Sequence, residues 1–287
     1  MAGEYQIKEE RCEIGRRIDA RGLVAANDGN ISVRIKENEI LCTPTGVLKG
    51  TMTPEMICKI DLDGNVLEAS RGYKPSSEMK MHLRVYQKRA DVNAVVHAHP
   101  PYATSFAVAG IALKQPVLTE GVVSIGCVPV AEYGTPSTSE IPDAIEKYLP
   151  YFDALLLEHH GALAYDTTLM KAYMKMESVE FYARTLYQVN IITGGHIREI
   201  PQDRLEALYE LRRKMGLPDK HPAELCQNKG TANCHNCGIH TGSSCCPTGQ
   251  QSVSAFGTPG PAAGSEALSD EAIAAITREV MQSLGMK

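Results

Sequence analysis

The run Asn93-Ala94-Val95-Val96 leads directly into His97-Ala98-His99 and then Pro100-Pro101, and this stretch restricts the fold more than any other. Valine-rich runs favour the pleated conformation, in which alternate side chains share a face. His97 and His99 therefore point the same way, and the proline pair ends the strand just behind them. Two nitrogen donors delivered to one face at a strand terminus make a preformed half of a metal site. An isolated H-x-H is common without metal, so the rest of the chain must supply the context.

Residues 5–21 place Ile7, Cys12, Ile14 and Ile18 at helical spacing, with Gly22 as a stop. The turn Asn27-Asp28-Gly29-Asn30 leads into the alternating strand Ile31-Ser32-Val33-Arg34-Ile35. Further strands are expected over 39–42, ending at Thr43-Pro44-Thr45-Gly46, and over 57–60 before a hairpin turn at Asp61-Leu62-Asp63-Gly64-Asn65. Pro75-Ser76-Ser77-Glu78 opens a helix through Lys88, with serine as its cap. Helices are expected over 102–108, 139–148, 168–192 and 202–215, and short strands over 122–125 and 128–130. In the long helix the stripe Met170, Tyr173, Met174, Val179, Tyr182, Leu186 and Val189 reads as core. Ala154-Leu155-Leu156-Leu157 reads as a buried strand that ends in His159-His160-Gly161.

Irregularly interleaved strands and helices with several hairpin signals predict an α/β fold, a mixed and mainly antiparallel sheet between helical layers. No G-x-G-x-x-G follows a strand and no G-x-x-x-x-G-K-[ST] occurs, which disfavours a nucleotide cofactor. At 287 residues the chain can bury a full core and carry an appendage. A formal charge of −5 offers no basic surface for nucleic acid. The first residues lack the apolar core of a signal peptide, and no stretch reaches membrane-spanning length. The expectation is a cytoplasmic protein with no nucleic-acid or membrane partner. Of nine cysteines, Cys12, Cys42, Cys58 and Cys127 are scattered and read as small buried hydrophobes.

His97, His99, His160 and the helix-start carboxylate Glu78 are a ligand set suited to one Zn2+ ion. Spacing alone leaves His159 and His160 both open, because adjacent strand residues face opposite ways. Gly161 beside His160 leaves room for approach and favours that residue. Taken singly, His160 could simply end a strand, and Glu78 could be a carboxylate favoured by the helix macrodipole. Gly29-Asn30, Thr45-Gly46 and Ser76-Ser77 combine glycine, amide and hydroxyl groups. Together they suit a phosphate ester; apart they are three capped turns.

The segments Asn27-Asp28-Gly29-Asn30-Ile31-Ser32, Thr43-Pro44-Thr45-Gly46, Pro75-Ser76-Ser77-Glu78, Val96-His97-Ala98-His99-Pro100 and His159-His160-Gly161 resemble, in order, the class II aldolase family. The resemblance spans about residues 7–215 and is closest to members acting on L-fuculose 1-phosphate. It implies a zinc enzyme, one ion per subunit, typically a C4-symmetric homotetramer, with His97, His99 and His160 as metal ligands. Glu78 matches the glutamate that ligates zinc and then serves as acid/base, while Gly29, Asn30, Thr45, Gly46, Ser76 and Ser77 match the phosphate pocket. Asn27 falls where the aldolase has threonine. The implied reaction breaks the C3–C4 bond of L-fuculose 1-phosphate, L-rhamnulose 1-phosphate or a related 5-deoxyketose 1-phosphate, giving dihydroxyacetone phosphate and lactaldehyde. Related epimerases carry aspartate at position 78 and related dehydratases lack the acid, so glutamate favours aldol cleavage. A family tyrosine contributed by a neighbouring subunit falls at Glu120, and a second falls at Met215. Glu120 is thus either a catalytic acid, which keeps dehydratase or epimerase chemistry as the alternative, or a surface charge. A non-catalytic scaffold is the reading from a different class.

Beyond the catalytic unit of residues 1–217, residues 218–265 are rich in Gly, Pro, Ser, Thr and Cys and read as a linker. Cys234, Cys237, Cys245 and Cys246 within it are candidates for a second metal or redox cluster, though a second well-spaced C-x-x-C is lacking. Over 266–287, Leu268, Ile273, Ile276, Val280 and Leu284 recur at helical spacing, with Ser269 as cap. This amphipathic helix resembles the encapsulation peptides that carry enzymes into bacterial microcompartments. It implies shell proteins as partners and the compartment lumen as location; the alternative is docking on its own oligomer.

Overall fold

The computed structural model describes residues 3–215. Helix α1 (Glu4–Ala20) buries Cys12, Ile14 and Ile18 at the spacing read from the sequence. Strands β1 (Asn30–Lys36) and β2 (Glu39–Cys42) form one hairpin, and β3 (Cys58–Ile60) and β4 (Val66–Glu68) form another. Between the latter two, Asp61 Oδ1 accepts the N–H groups of Asp63 and Asn65, so the acidic cluster makes the expected turn. Then come α2 (Met79–Lys88), β5 (Ala94–Ala98), α3 (Pro101–Val108), β6 (Val130–Ala131), α4 (Glu140–Glu146), β7 (Ala154–Leu157) and β8 (Gly161–Asp166). Helices α5 (Leu169–Thr193) and α6 (Gln202–Lys214) complete the described chain.

The strands form one eight-stranded sheet, ordered β4-β3-β2-β1-β5-β8-β7-β6. Every pairing is antiparallel except that of β6 with β7, as the hairpin signals predicted. The histidine strand β5 sits inside this sheet, with Asn30 and Leu163 opposite His97 on its two neighbours. Ala94, Val96 and Ala98 pack into the core under α1, α3 and α5, whereas Val95 packs into the core under α2 and α4. That alternation puts His97 on the α2 side of the sheet.

Four local expectations change. Residues 122–125 are not a strand but part of a π-helical turn, Gly121–Ile125, whose Val122 packs on Leu205 and Tyr209 of α6. A short apolar run cannot be told from one buried helical turn by periodicity. Helix α2 starts at Met79 with Glu78 rather than a serine in the capping position, and Ser76 Oγ accepts the Glu78 N–H at 3.4 Å just before it. The strand expected to run on into the histidines ends at Leu157: residues 158–160 form a turn, with His159 at φ +54°, and β8 begins at Gly161. Met174 of the long helix stands exposed. The linker 218–265, with Cys234, Cys237, Cys245 and Cys246, and the helix expected over 266–287 lie outside the described residues. Among the described residues no helix is long and apolar enough to cross a membrane.

A short 3-10 turn, Lys49–Thr51, lies against α1, and the approach is close enough to exclude side chains. A Cβ on Gly15 would stand 2.5 Å from the Lys49 carbonyl oxygen and 2.6 Å from Met52 Cε. Replacing a mid-helix glycine by alanine gains about 0.5–1 kcal/mol of helix propensity, whereas overpacking a tight contact costs about 1–3 kcal/mol. The steric cost wins here, because the nearest atom is backbone. Gly15→Ala is therefore expected to lower the midpoint of thermal unfolding followed by circular dichroism; an unchanged or higher midpoint would show that this contact yields.

Candidate active site

Three imidazoles meet at the end of β5. His97 comes from the strand itself, His99 from just beyond it, and His160 from the β7–β8 turn. Their potential ligand atoms all lie within 4.8 Å of one another. His160 reaches the group because Gly161 packs where a Cβ would be 2.5 Å from the Ala98 oxygen and 2.6 Å from His99 Cδ2. His159, its neighbour, is exposed, and its ring faces Tyr133 at 6.3 Å. The structure thus places His160, not His159, with the pair from the H-x-H.

Each ring's far nitrogen reveals what the near one can do. His97 is 1 % exposed, and its Nδ1 lies 2.9 Å from the Ala162 carbonyl, which can only accept. Nδ1 must therefore carry the proton, leaving a lone pair on Nε2. His99 Nδ1 lies 3.4 Å from Asp28 Oδ2, which assigns the same tautomer to His99. The two Nε2 lone pairs then confront each other across 3.1 Å. Such a contact is repulsive unless a cation is shared, and two donors about 2 Å from one ion stand at about this separation. The donor set fits a divalent ion held by His97, His99 and His160, with imidazole nitrogens suited to zinc and its neighbours.

Glu78 completes the arrangement. Its Oε1 is 3.1 Å from His160 Nε2, its Oε2 is 3.5 Å from His97 Nε2, and Asn30 Nδ2 donates to Oε2 at 2.6 Å. Burial pushes the Glu78 pKa up, but the hydrogen bond with His160, the charges of His97 and His160 and the Asn30 amide outweigh it. Its carboxyl is held well below the usual carboxylate range. Burial, assisted by His160 and His99 and opposed by Glu78, drives the His97 pKa well below the ordinary imidazole value. Burial also lowers the pKa of His99. An ionised carboxylate beside His97 and His99, whose protonation burial opposes, suits a cation.

The three turns singled out for phosphate also come together. Ser76 N–H donates to the Thr43 carbonyl, Thr45 N–H donates to Lys74, and Asn30 Nδ2 lies 3.4 Å from Ser76 Oγ. Thr45, Gly46 and Ser77 are exposed, while Gly29 and Asn30 are buried beneath them. The N–H groups of Gly29 and Gly46 have no acceptor among the described residues. These are donors suited to an anion beside Glu78.

Glu120 does not join this group. It is exposed at the start of the Gly121–Ile125 turn, and its side chain contacts none of the imidazoles. Cys12, Cys42, Cys58 and Cys127 are buried and form no disulfide among the described residues.

Sequence reasoning overlooked Asp28 as a partner of His99, and it overlooked the network holding Glu78's helix. Ser32 of β1 hydrogen-bonds both His82 Nδ1 and Tyr86 OH of α2, each at 2.7 Å. Burial, opposed by the Glu78 charge, lowers the His82 pKa to about 3, so this ring is a neutral structural partner. His82 lies outside any recognisable motif, whereas Asp28 and Ser32 sit inside residues 27–32, a segment already singled out for its turn and its resemblance.

Replacing His97 by alanine is expected to remove bound metal, measured by elemental analysis after dialysis. Asp28→Asn should retain the site but weaken metal affinity by roughly 10–100-fold, the usual effect of losing a ligand's outer partner. Full stoichiometry and affinity in both variants would exclude the triad as the metal site.

Comparison with known proteins agrees with this geometry. The family model described as Class II Aldolase and Adducin N-terminal domain matches residues 9–187. A 5-deoxy-D-ribulose 1-phosphate aldolase of Bacillus thuringiensis serovar kurstaki is 35% identical over 207 residues, 70% of this chain and 94% of that protein. An L-fuculose phosphate aldolase of Methanococcus maripaludis is 33% identical over 181 residues, 63% of this chain and 96% of that protein. A solved L-fuculose 1-phosphate aldolase superposes with TM-score 0.66 at 32% identity, covering 74% of this chain and 98% of that one. The chain belongs to the class II aldolase family and is an enzyme of that lyase class.

Proposed function

We propose that this enzyme is a zinc-dependent aldolase that splits a deoxyketose 1-phosphate between C3 and C4. The products would be dihydroxyacetone phosphate and a short aldehyde, lactaldehyde from L-fuculose or L-rhamnulose 1-phosphate and acetaldehyde from 5-deoxyribulose 1-phosphate. The observation that carries this reading is Glu78, an ionised carboxylate held between His97 and His160 beside loops of free anion donors.

A divalent ion held by His97, His99 and His160 would supply Lewis-acid stabilisation for the negative charge that cleavage leaves on the ketose fragment. The remaining work falls to side chains. Glu78 enters as a carboxylate, so it can accept a proton and return it to the carbon that bore the broken bond. Asn30 orients it through Oε2 at 2.6 Å. Gly29, Asn30, Thr45, Gly46, Ser76 and Ser77 would bind the phosphate and fix the reacting carbon against Glu78. Glu120 makes no contact with the imidazoles of its own chain, so a catalytic role would require delivery from another copy, as in a homotetramer.

The test is product analysis by NMR with the zinc-loaded protein and L-fuculose, L-rhamnulose, 5-deoxyribulose and methylthioribulose 1-phosphates. Dihydroxyacetone phosphate is expected, at a rate reduced about 10²–10⁴-fold in Glu78→Gln. An epimerised or dehydrated product without cleavage would overturn aldol chemistry and shift attention to Glu120.

Residues 266–287 we assign, from their amphipathic spacing, to binding microcompartment shell proteins. Deleting them should leave the rate of cleavage unchanged and abolish co-sedimentation with shells. Loss of activity in the truncated protein would instead favour docking on the enzyme itself.

A further inference from the structure

Lys49 is 2 % exposed, yet its ammonium is paired with no carboxylate among the described residues. Its Nζ donates to the Asn27 and Val47 carbonyls, each at 2.7 Å. These carbonyls belong to the two loops that carry Gly29-Asn30 and Thr45-Gly46. An ammonium has three N–H donors, and the two carbonyls occupy two of them. Its backbone is equally constrained, since the Lys49 carbonyl packs on Gly15 of α1 too closely to admit a Cβ there.

Desolvating a charge is expensive, and a neutral amide could tie two carbonyls together without that penalty. A lysine at this position is therefore better explained by a need for positive charge. The surrounding groups agree. Burial lowers the Lys49 pKa to about 8, while Asp28 and Glu78, the carboxylates of the site itself, pull it back up. The carboxylates that act on the ammonium in this way are thus residues of the candidate site.

We propose that Lys49 is a positioning residue for the substrate phosphate: its buried ammonium clamps the Asn27–Asn30 and Thr45–Val47 loops from behind and supplies the cation that a dianion in front of them requires. With the Asn27 and Val47 carbonyls turned back onto Nζ, the loops keep the unpaired N–H groups of Gly29 and Gly46 for the anion. The phosphate need not touch Lys49. A charge buried behind a thin layer of backbone acts through a poorly screening medium, so its influence persists at a distance that would be screened in water. The inference rests on the phosphate-pocket reading given above.

The test uses the full-length, metal-loaded protein with inorganic phosphate as the probe, titrated calorimetrically against the parent enzyme, Lys49→Met and Lys49→Arg. The parent should bind phosphate, Lys49→Met should bind it at least tenfold more weakly, and Lys49→Arg should recover most of the loss. For the phosphorylated ketose, Lys49→Met should raise KM about tenfold while kcat changes by less than threefold. A merely structural role would lower the unfolding midpoint of Lys49→Met yet leave the phosphate-induced rise in that midpoint unchanged, and this result would overturn the proposal. So would equal phosphate affinity in the folded Lys49→Met and the parent. If the parent itself fails to bind phosphate, the pocket reading falls, and the role of Lys49 falls with it.

Discussion

The structure depends on a repulsion. Two imidazoles whose outer nitrogens are committed to an acceptor, the Ala162 carbonyl and the Asp28 carboxylate, are left with lone pairs facing across 3.1 Å. A protein stores such a contact only where the surrounding structure over-determines it. Here the overdetermination is visible. His97 sits within a strand paired on both sides, and its ring is fixed by a bond to the neighbouring strand. His99 cannot relax away because its backbone N–H is tied to the Leu23 carbonyl and Gly161 is packed against its ring. A shared cation converts the repulsion into attraction, so the site's rigidity and its affinity have one origin.

Glu78 belongs to a different element, and it reaches the imidazoles because α2 is anchored to β1. The hydroxyl of Ser32 has one proton and two lone pairs, so it can hold the bonds to both His82 and Tyr86, accepting at least one of them. That network fixes the helix one turn beyond its start, and Glu78 stands at the capping position with its carboxylate turned to His160 and Asn30. A carboxylate on the first turn of a helix also gains from the helix dipole, worth about 0.3–1 kcal/mol at exposed sites. The contacts of Glu78 at the site are more numerous: Oε1 lies 3.1 Å from His160 Nε2, and Oε2 accepts from Asn30 Nδ2 and lies 3.5 Å from His97 Nε2. The placement therefore serves the site more than it serves the helix.

Much of this was legible in the sequence because it rests on strict periodicity. The alternation of β5 predicted that His97 and His99 share a face, and the composition of 29–30, 45–46 and 76–77 predicted three turns rich in donors. Less legible was whatever depended on one residue's backbone. Alternation along a single strand could not choose between His159 and His160, because the deciding feature is a reversal at His159 with φ +54°. The apolar Val122-Val123 run resembled a strand, but its partner is α6, distant in sequence. Asp28 was legible only as part of a turn, and Lys49 carried no signal of its own. Their roles come from what lies opposite them, and a linear reading has no access to that.

The contrast between Lys49 and the imidazoles explains how charge is arranged around the site. Metal ligands must be neutral and unsolvated to bind an ion, and burial enforces this by driving the His97 pKa down. A phosphate-binding surface has the opposite requirement, since it must remain positive while exposing only backbone and hydroxyls. Placing the lysine behind the loops satisfies both. Its stem is buried, its head is held by two carbonyls, and Gly29 and Gly46 of the two loops both have a positive φ that favours glycine. A surface lysine would reach the anion directly but would also pair with Glu78 or Asp28 and neutralise the very carboxylates that the site needs ionised. Held by the Asn27 and Val47 carbonyls, the ammonium forms an ion pair with neither carboxylate, and in the proposed reading the base and the anion pocket would operate side by side.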